Sequence, residues 1–193
     1  MTSTWAVVPA KDFARAKGRL APALSAPERQ RWARETLDHV LAVLTAAGLQ
    51  VLVVTDAVAV RDHVQALGAA VVLSPAGIGD AVRQGIAGAG LRGADQVLVV
   101  MGDLPELCLA DISAVFARPE GVVICPDLRS AGTNGLLLRE LDPLRATFGH
   151  LDSFRRHRAA NPDAGVVRSL GWGHDVDTPG DLEPGPAGAS LRP

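Results

Sequence analysis

The chain has 193 residues, 48% of them hydrophobic, with nineteen basic and twenty-one acidic side chains and a formal net charge of −2. That length buries one substantial core and is short for two. The absence of a basic block, together with only four Phe, three Trp and no Tyr, speaks against nucleic acid as a partner, because neither a phosphate-tracking stripe nor a set of base-stacking platforms can be built.

The first apolar run, WAVVP at 5–9, reads as a strand and opens into VPAKDFARAKGRL. No basic region precedes it and no segment approaches the roughly eighteen apolar residues of a membrane helix, so a cytoplasmic location is expected. The only lysines of the chain, Lys11 and Lys17, fall together in this stretch with Arg19 close behind. Two mobile ammonium groups and a guanidinium at the end of a first strand suit an anion, a phosphorylated substrate first of all. A solvated helix start in an arginine-favouring composition explains the same residues.

SAPERQRWARETLDHVLAVLTAAG then carries helical periodicity and a Ser25/Glu28 capping-box pattern, and QVLVVT at 50–55 completes a βαβ unit. The alternation continues through AVAVRDHVQALG, AVVLS at 70–74, GDAVRQGIAGAG, QVLVVM at 96–101, LADISAVFA and GVVICP at 121–126. Continuous apolar strands of this kind predict a sheet covered by helices on both faces. Beyond Asp127 the pattern loosens, leaving a strand at TNGLLL and a short helix from about 152 to 160, in a region placed to carry substrate contacts above the sheet. VVRSLGWGHDVDTPGDL ends the ordered fold, one domain over 1–182, and the Pro/Gly/Ser-rich residues 183–193 read as a disordered tail.

Asp103 follows the strongest strand in VLVVMGDLPEL, at the carboxyl end where parallel sheets bind ligands; capping the next turn is the simpler alternative. Asp175 and Asp177 stand two apart in HDVDTPGDL, where an extended backbone turns both to one face. With Asp103 they compose an oxygen-rich set suited to Mg²⁺, although Asp177 also reads as the cap of a helix starting at Pro179. Asp56, after the second strand, reads either as a ribose contact or as the cap of the following helix, and the latter is preferred. Neither GxGxxG nor GxxxxGK[ST] is present. Cys108 and Cys125 show no metal or redox spacing and read as small core residues. His39 and His63 read as structural; His150, His157 and His174 lie within reach of a late-region site, and no GxSxG elbow occurs.

Taken in order, VPAKDFARAKGRL, VVTD, MGDLP, SAGTNGLLL, FGHLDSFRRH and DVDTPGDL resemble the 2-phospho-L-lactate guanylyltransferase family, including its relatives acting on phosphoenolpyruvate or 3-phosphoglycerate in deazaflavin coenzyme biosynthesis. The resemblance spans about residues 5–182. It implies an α/β, three-layer Rossmann-like, glycosyltransferase-A-like nucleotidyltransferase fold with a mostly parallel sheet, using GTP and Mg²⁺. It also implies that Lys11, Lys17 and Arg19 meet the triphosphate and acceptor phosphate, and that Asp103, Asp175 and Asp177 bind the metal. Pro9, Ala10, Lys11, Asp56, Gly77, Gly79 and Asp80 fall on the nucleotide side, while Thr133, Asn134, Gly149, Ser153 and His157 fall on the acceptor side. At Gly77-Ile78-Gly79-Asp80 the chain departs from the family's GLN pattern, which removes an amide and leaves base recognition to Asp80 or backbone groups. The resemblance further implies a downstream transferase that receives the guanylylated product, and it leaves a homodimer open. Transfer to another small phosphorylated acceptor, and a non-catalytic nucleotide-binding domain, are the alternative functions.

Overall fold

Alternating burial along the strands explains the architecture. In β1 (Thr4–Pro9) Ala6 and Val8 enter one apolar cluster while Trp5 and Val7 enter another. The first cluster is completed by Leu37, Val40, Leu41 and Leu44 of α1 (Ala26–Ala46), Val60 and Val64 of α2 (Val58–Ala66), and Ile112 and Val115 of α4 (Leu109–Phe116). The second is closed mainly by Ala81, Val82, Ile86 and Ala89 of α3 (Ile78–Gly90). The central strands therefore have two dry faces, the condition under which their sequences must be continuous apolar runs. The computed structural model describes residues 2–75 and 77–182; the expected tail at 183–193 lies outside them.

The remaining strands are β2 (Gln50–Thr55), β3 (Ala70–Leu73), β4 (Gln96–Val100), β5 (Val122–Pro126), β6 (Thr133–Leu138) and β7 (Gly165–Val166), in the order β3-β2-β1-β4-β6-β5-β7. The pairs β1–β2, β1–β4, β2–β3 and β5–β7 are parallel, whereas β6 runs antiparallel to both β4 and β5. The sheet is thus mixed: parallel for the most part, as expected, with β6 reversed among the described strands. The physical reason is connection length: the short stretch 127–132 between β5 and β6 is enough for a reversal and too short for a parallel crossover.

The reversal has a positional consequence. Met101 N–H, just past β4, donates to Asn134 O at 2.9 Å, so the beginning of β6 lies beside the carboxyl end of β4. The chain leaves β1 toward β2 on one side and returns to β4 on the other, which places the topological switch point at this edge.

Local signals account for the helix starts. Ser25 N–H donates to Glu28 Oε2 at 2.7 Å, confirming the capping box of α1, with Pro27 in the first turn. Before α2, Thr55 Oγ1 accepts from Ala57 N–H at 3.2 Å, and Ala57 rather than Asp56 is the cap residue. Cys125 is buried as expected; Cys108 is exposed and caps α4, a correction to its reading as a core residue.

Candidate active site

A cleft of about 340 Å³ opens at the carboxyl ends of β1 to β4, within the range of small-ligand sites. Pro9, Ala10 and Lys11 line it after β1, Asp56 after β2, Ser74 after β3 and Met101 to Asp103 after β4; Gly77 and Ile78 bring in the start of α3. Lys11 is exposed and, among the described residues, pairs with no carboxylate.

The first loop is shaped by two 3₁₀ turns, Phe13–Arg15 and Gly18–Leu20, and Phe13 and Leu20 are buried as its anchors. Asp12 accepts from Ala14 N–H at 3.0 Å to start the first turn, and Arg34 lies over the Phe13 ring at 5.3 Å. Between the turns Lys17 adopts a left-handed backbone, φ 54°, which is strained for a side chain with a Cβ. That conformation sends its side chain inward: only 6% exposed, its Nζ lies 2.6 Å from Asp103 Oδ2 and 3.3 Å from Asp177 Oδ1. Burial pulls the Lys17 pKa down, but the charge and hydrogen bond of Asp103, then those of Asp177, outweigh it and hold the pKa above its ordinary value. Lys17 is therefore no mobile ammonium, in contrast to the sequence expectation. The exposed cation is instead the Arg19 guanidinium, 3.6 Å from Asp177 Oδ2.

Asp175 and Asp177 flank Val176, which is 1% exposed and points into the core, so the two carboxylates turn the other way together, as the i, i+2 spacing predicts. Neither caps a helix. Asp181 performs that role, accepting from Asp177 N–H at 3.1 Å, Thr178 N–H at 2.7 Å and Thr178 Oγ1–H at 2.8 Å. The Asp175 carboxyl is raised above its ordinary pKa by burial first and then by the negative charge of Asp103, and Asp177 adds to the rise; Asn134 Nδ2, donating at 3.3 Å, opposes it. Asp175 thus feels the charge of both other carboxylates.

Carboxylate oxygens are the donor type a hard divalent cation takes, so this set fits Mg²⁺ in its chemistry. Among the described residues, however, no three acidic, His or Cys side chains already converge as a metal cage. The Lys17 ammonium stands between Asp103 and Asp177. A cation bridging those two carboxylates requires Lys17 to release at least one of them.

The residues expected on the acceptor side are placed by β6 and the segment after it. Asp127 accepts from Ala131 and Gly132 N–H groups, both at 2.8 Å, and shapes the entry to Thr133 and Asn134. Asn134 Nδ2 also donates to Trp172 O at 2.9 Å, tying β6 to the short helix α6 (Leu170–Gly173). His157, on α5 (Ser153–Ala160), has no exposed surface. Its Nε2 accepts from Thr147 N–H at 2.9 Å, which leaves Nδ1 to donate to Thr133 Oγ1 at 3.0 Å. Burial lowers its pKa to about 4, so this imidazole is a neutral brace between strand, helix and loop. Ser153 is buried at the start of α5, and Gly149 has φ +90°. A Cβ built on Gly149 would lie 3.2 Å from Ile78 Cγ2, and one on Gly79 would lie 2.7 Å from Phe148 O. The FGH turn and the first turn of α3 therefore touch along a seam that only glycine permits.

The chain matches the family model described as "Guanylyl transferase CofC like" over residues 4–184. It belongs to the CofC-like guanylyl transferase family. It is 39% identical over 201 residues to the phosphoenolpyruvate guanylyltransferase of Sphaerobacter thermophilus, covering 97% of each chain. It is 31% identical to the 2-phospho-L-lactate guanylyltransferase of Methanosarcina acetivorans, covering 92% of this chain and 83% of the relative. Among solved structures, a nucleotidyl transferase from Methanothermobacter thermautotroptrophicus superposes with a TM-score of 0.66 at 17% identity, covering 94% of both chains. A crystal structure from Desulfovibrio desulfuricans G20 gives 0.75 at 15% identity over 92% of this chain and 84% of that one. The fold is accordingly a Rossmann-like α/β nucleotidyltransferase fold.

On this guanylyltransferase the cleft gathers Pro9, Ala10, Lys11, Lys17, Asp56, Gly77, Asp103 and Asp177. Arg19 and Asp175 adjoin it through Asp177 and through the mutual charge of the aspartates. Asp80 does not line it; it pairs with Arg83 on the exposed side of α3, so the expected substitute for the absent amide faces elsewhere. Asp56 pairs with Arg15 at 2.6 Å instead of capping α2. His174 Nε2 lies 3.1 Å from the backbone oxygen of Asp181, while His39 meets Leu107 O at 2.8 Å and His63 meets Asp38 Oδ1 at 2.6 Å. Sequence reasoning passed over Arg15, Met101 and Ser74 as cleft residues. Arg15 sits two positions before Lys17 in the same basic loop, and that spacing was the available signal.

Proposed function

We propose that this guanylyltransferase moves the guanylyl group of GTP onto the phosphate of phosphoenolpyruvate in a Mg²⁺-dependent reaction. 2-Phospho-L-lactate and 3-phospho-D-glycerate are the acceptors to be tested against it. The observation that carries the reading is the buried Lys17 held between Asp103 and Asp177 at the switch point of the sheet. A buried positive charge set against carboxylates that could take a divalent cation is what a reaction between two anions needs. The phosphoenolpyruvate preference is supported by the higher identity to relatives of that name.

In the step itself an acceptor phosphate oxygen attacks the α-phosphorus of GTP, a new P–O bond forms, the bond to the β-phosphate bridging oxygen breaks, and pyrophosphate leaves. The nucleophile is already an anion, so no strong base is needed, and the neutral, buried His157 is consistent with that. What the chain supplies is alignment and charge. Lys11 and Arg19, exposed at the mouth, neutralise incoming phosphates; Lys17, once drawn from the aspartates, does so deeper in. Asp103, Asp175 and Asp177 would hold Mg²⁺, which supplies charge neutralisation at the phosphates when bound. Thr133, Asn134, Gly149 and Ser153 frame the acceptor side, Asn134 by keeping Asp175 oriented.

Pyrophosphate release measured with Mg²⁺ for GTP, ATP and CTP against the three phospho-acids tests the reading: one strong cell at GTP with phosphoenolpyruvate is expected, and a strong cell elsewhere reassigns donor or acceptor. Asp103→Asn should abolish turnover in a protein that still folds, with a melting temperature lowered by the loss of the Lys17 partner; full turnover in that variant would remove Asp103 from the chemistry.

A further inference from the structure

The seat of base selectivity deepens the reading of GTP as donor and rests on it. Guanine presents two adjacent donors, N1–H and the 2-amino group, where adenine presents an acceptor at N1 and no polar group at C2. The protein group matching guanine is acceptor-only with two oxygens, a carboxylate. Three carboxylates line the cleft among the described residues: Asp56, Asp103 and Asp177. Two of them are engaged by Lys17 at the β4 side. Asp56 stands at the end of β2, separated from β4 by β1. At the usual strand spacing this puts the two sites about 10 Å apart, a separation suited to a nucleoside whose base lies at one and whose α-phosphate lies at the other.

The surroundings of Asp56 suit a planar base. Pro9, Ala10, Val54 and Ala81 give the cleft small apolar walls there. Arg15 Nη2 donates to Asp56 Oδ2 at 2.6 Å, while Oδ1 accepts no hydrogen bond among the described residues. The side chain is 31% exposed, so it is held in place and still reachable. Asp80, the other acidic residue near the start of α3, is turned away onto Arg83.

We infer that Asp56 is the specificity-determining residue for guanine, its carboxylate accepting from N1–H and the 2-amino group while Arg15 fixes its orientation. The competing role is a clip, in which the Arg15–Asp56 pair only pins the first loop. A clip affects every nucleotide alike; a base reader changes the order of preference.

The experiment compares kcat/KM for GTP, ITP and XTP with phosphoenolpyruvate, in the full-length protein and in Asp56→Asn, alongside calorimetric binding of GMP, IMP and XMP. For the unaltered protein, ITP, which lacks the 2-amino group, should fall about tenfold or more below GTP, the worth of one hydrogen bond to a charged acceptor. In Asp56→Asn the preference should shift from GTP toward XTP by about a hundredfold, because the amide donates to the 2-oxo group of xanthine where the carboxylate repelled it. Equal use of ITP and GTP by the unaltered protein overturns the inference without any variant. A parallel loss of all three nucleotides in a folded Asp56→Asn also overturns it and assigns the clip. Should the unaltered protein release no pyrophosphate from any nucleotide, the proposed reaction fails, and the monophosphate binding series still decides whether Asp56 reads guanine.

Discussion

Replacing Lys17 by Met removes the ammonium that Asp103 and Asp177 share while keeping an apolar stem of similar length. Deleting one member of a fully buried ion pair costs about 3–5 kcal/mol. Here only the lysine is buried, since the Asp103 and Asp177 side chains are 33% and 43% exposed, and water screens what remains. The expected loss is about 1–2 kcal/mol, or a melting temperature lower by about 2–8 °C in a chain of this size. The pH dependence sharpens the test. A pKa raised above 10.5 in the folded state means that the contribution of Lys17 is complete below 10.5 and is lost only as pH rises through the folded value. The gap between the two proteins in thermal melts should therefore be constant from pH 7 to 9 and close above 10.5. Turnover should drop about 10²–10³-fold, the usual cost of removing a positioned charge from a transition state, while the Mg²⁺ concentration for half-maximal rate decreases because no ammonium competes for Asp103 and Asp177. A variant with unchanged melting temperature and unchanged turnover would refute the argument, as would one needing more Mg²⁺.

Three further outcomes are expected. His157, with its pKa lowered to about 4 against 6.5, takes up a proton more readily when unfolded, so stability should fall by up to about 3 kcal/mol as pH drops from 6.5 to 4; urea melts of His157→Gln should show a flatter dependence over that window. Gly79→Ala places a Cβ 2.7 Å from Phe148 O and should cost about 1–3 kcal/mol as overpacking, with a raised KM for the acceptor, readable by melting and steady-state kinetics. Asn134→Ala deprives Trp172 O and Asp175 of their donor and should cost about 1–3 kcal/mol, measured by chemical denaturation.

The strands, the long first helix and its capping box were legible because they are written in local pattern: QVLVVT and TNGLLL coincide with β2 and β6, and Glu28 answers Ser25 within one helical turn. The direction of β6 was not, because pairing is settled by connection length and neighbours rather than by apolar content. The first loop showed where cations gather, and the spacing of Asp175 and Asp177 gave their common face. That Lys17 turns inward depends on a left-handed backbone at one residue, for which a lysine gives no warning. His157 was readable as a polar residue in a helix; its complete burial follows from Thr133 and Thr147, which approach it from separate parts of the chain. Asp56 read as a cap because a carboxylate ahead of a helix normally is one, and only the fold shows Arg15 reaching it across forty-one positions.

The seam between Gly79 and the Phe148–Gly149 turn leaves no slack between the start of α3 and the segment leading to Ser153. Two substrates that each press on one side of such a contact cannot be independent in free energy. Whatever factor the nucleotide contributes to acceptor affinity, the acceptor must return to the nucleotide. Measured in either order, the two dissociation constants should change by one shared ratio, and widening the seam at residue 79 should move that ratio toward unity.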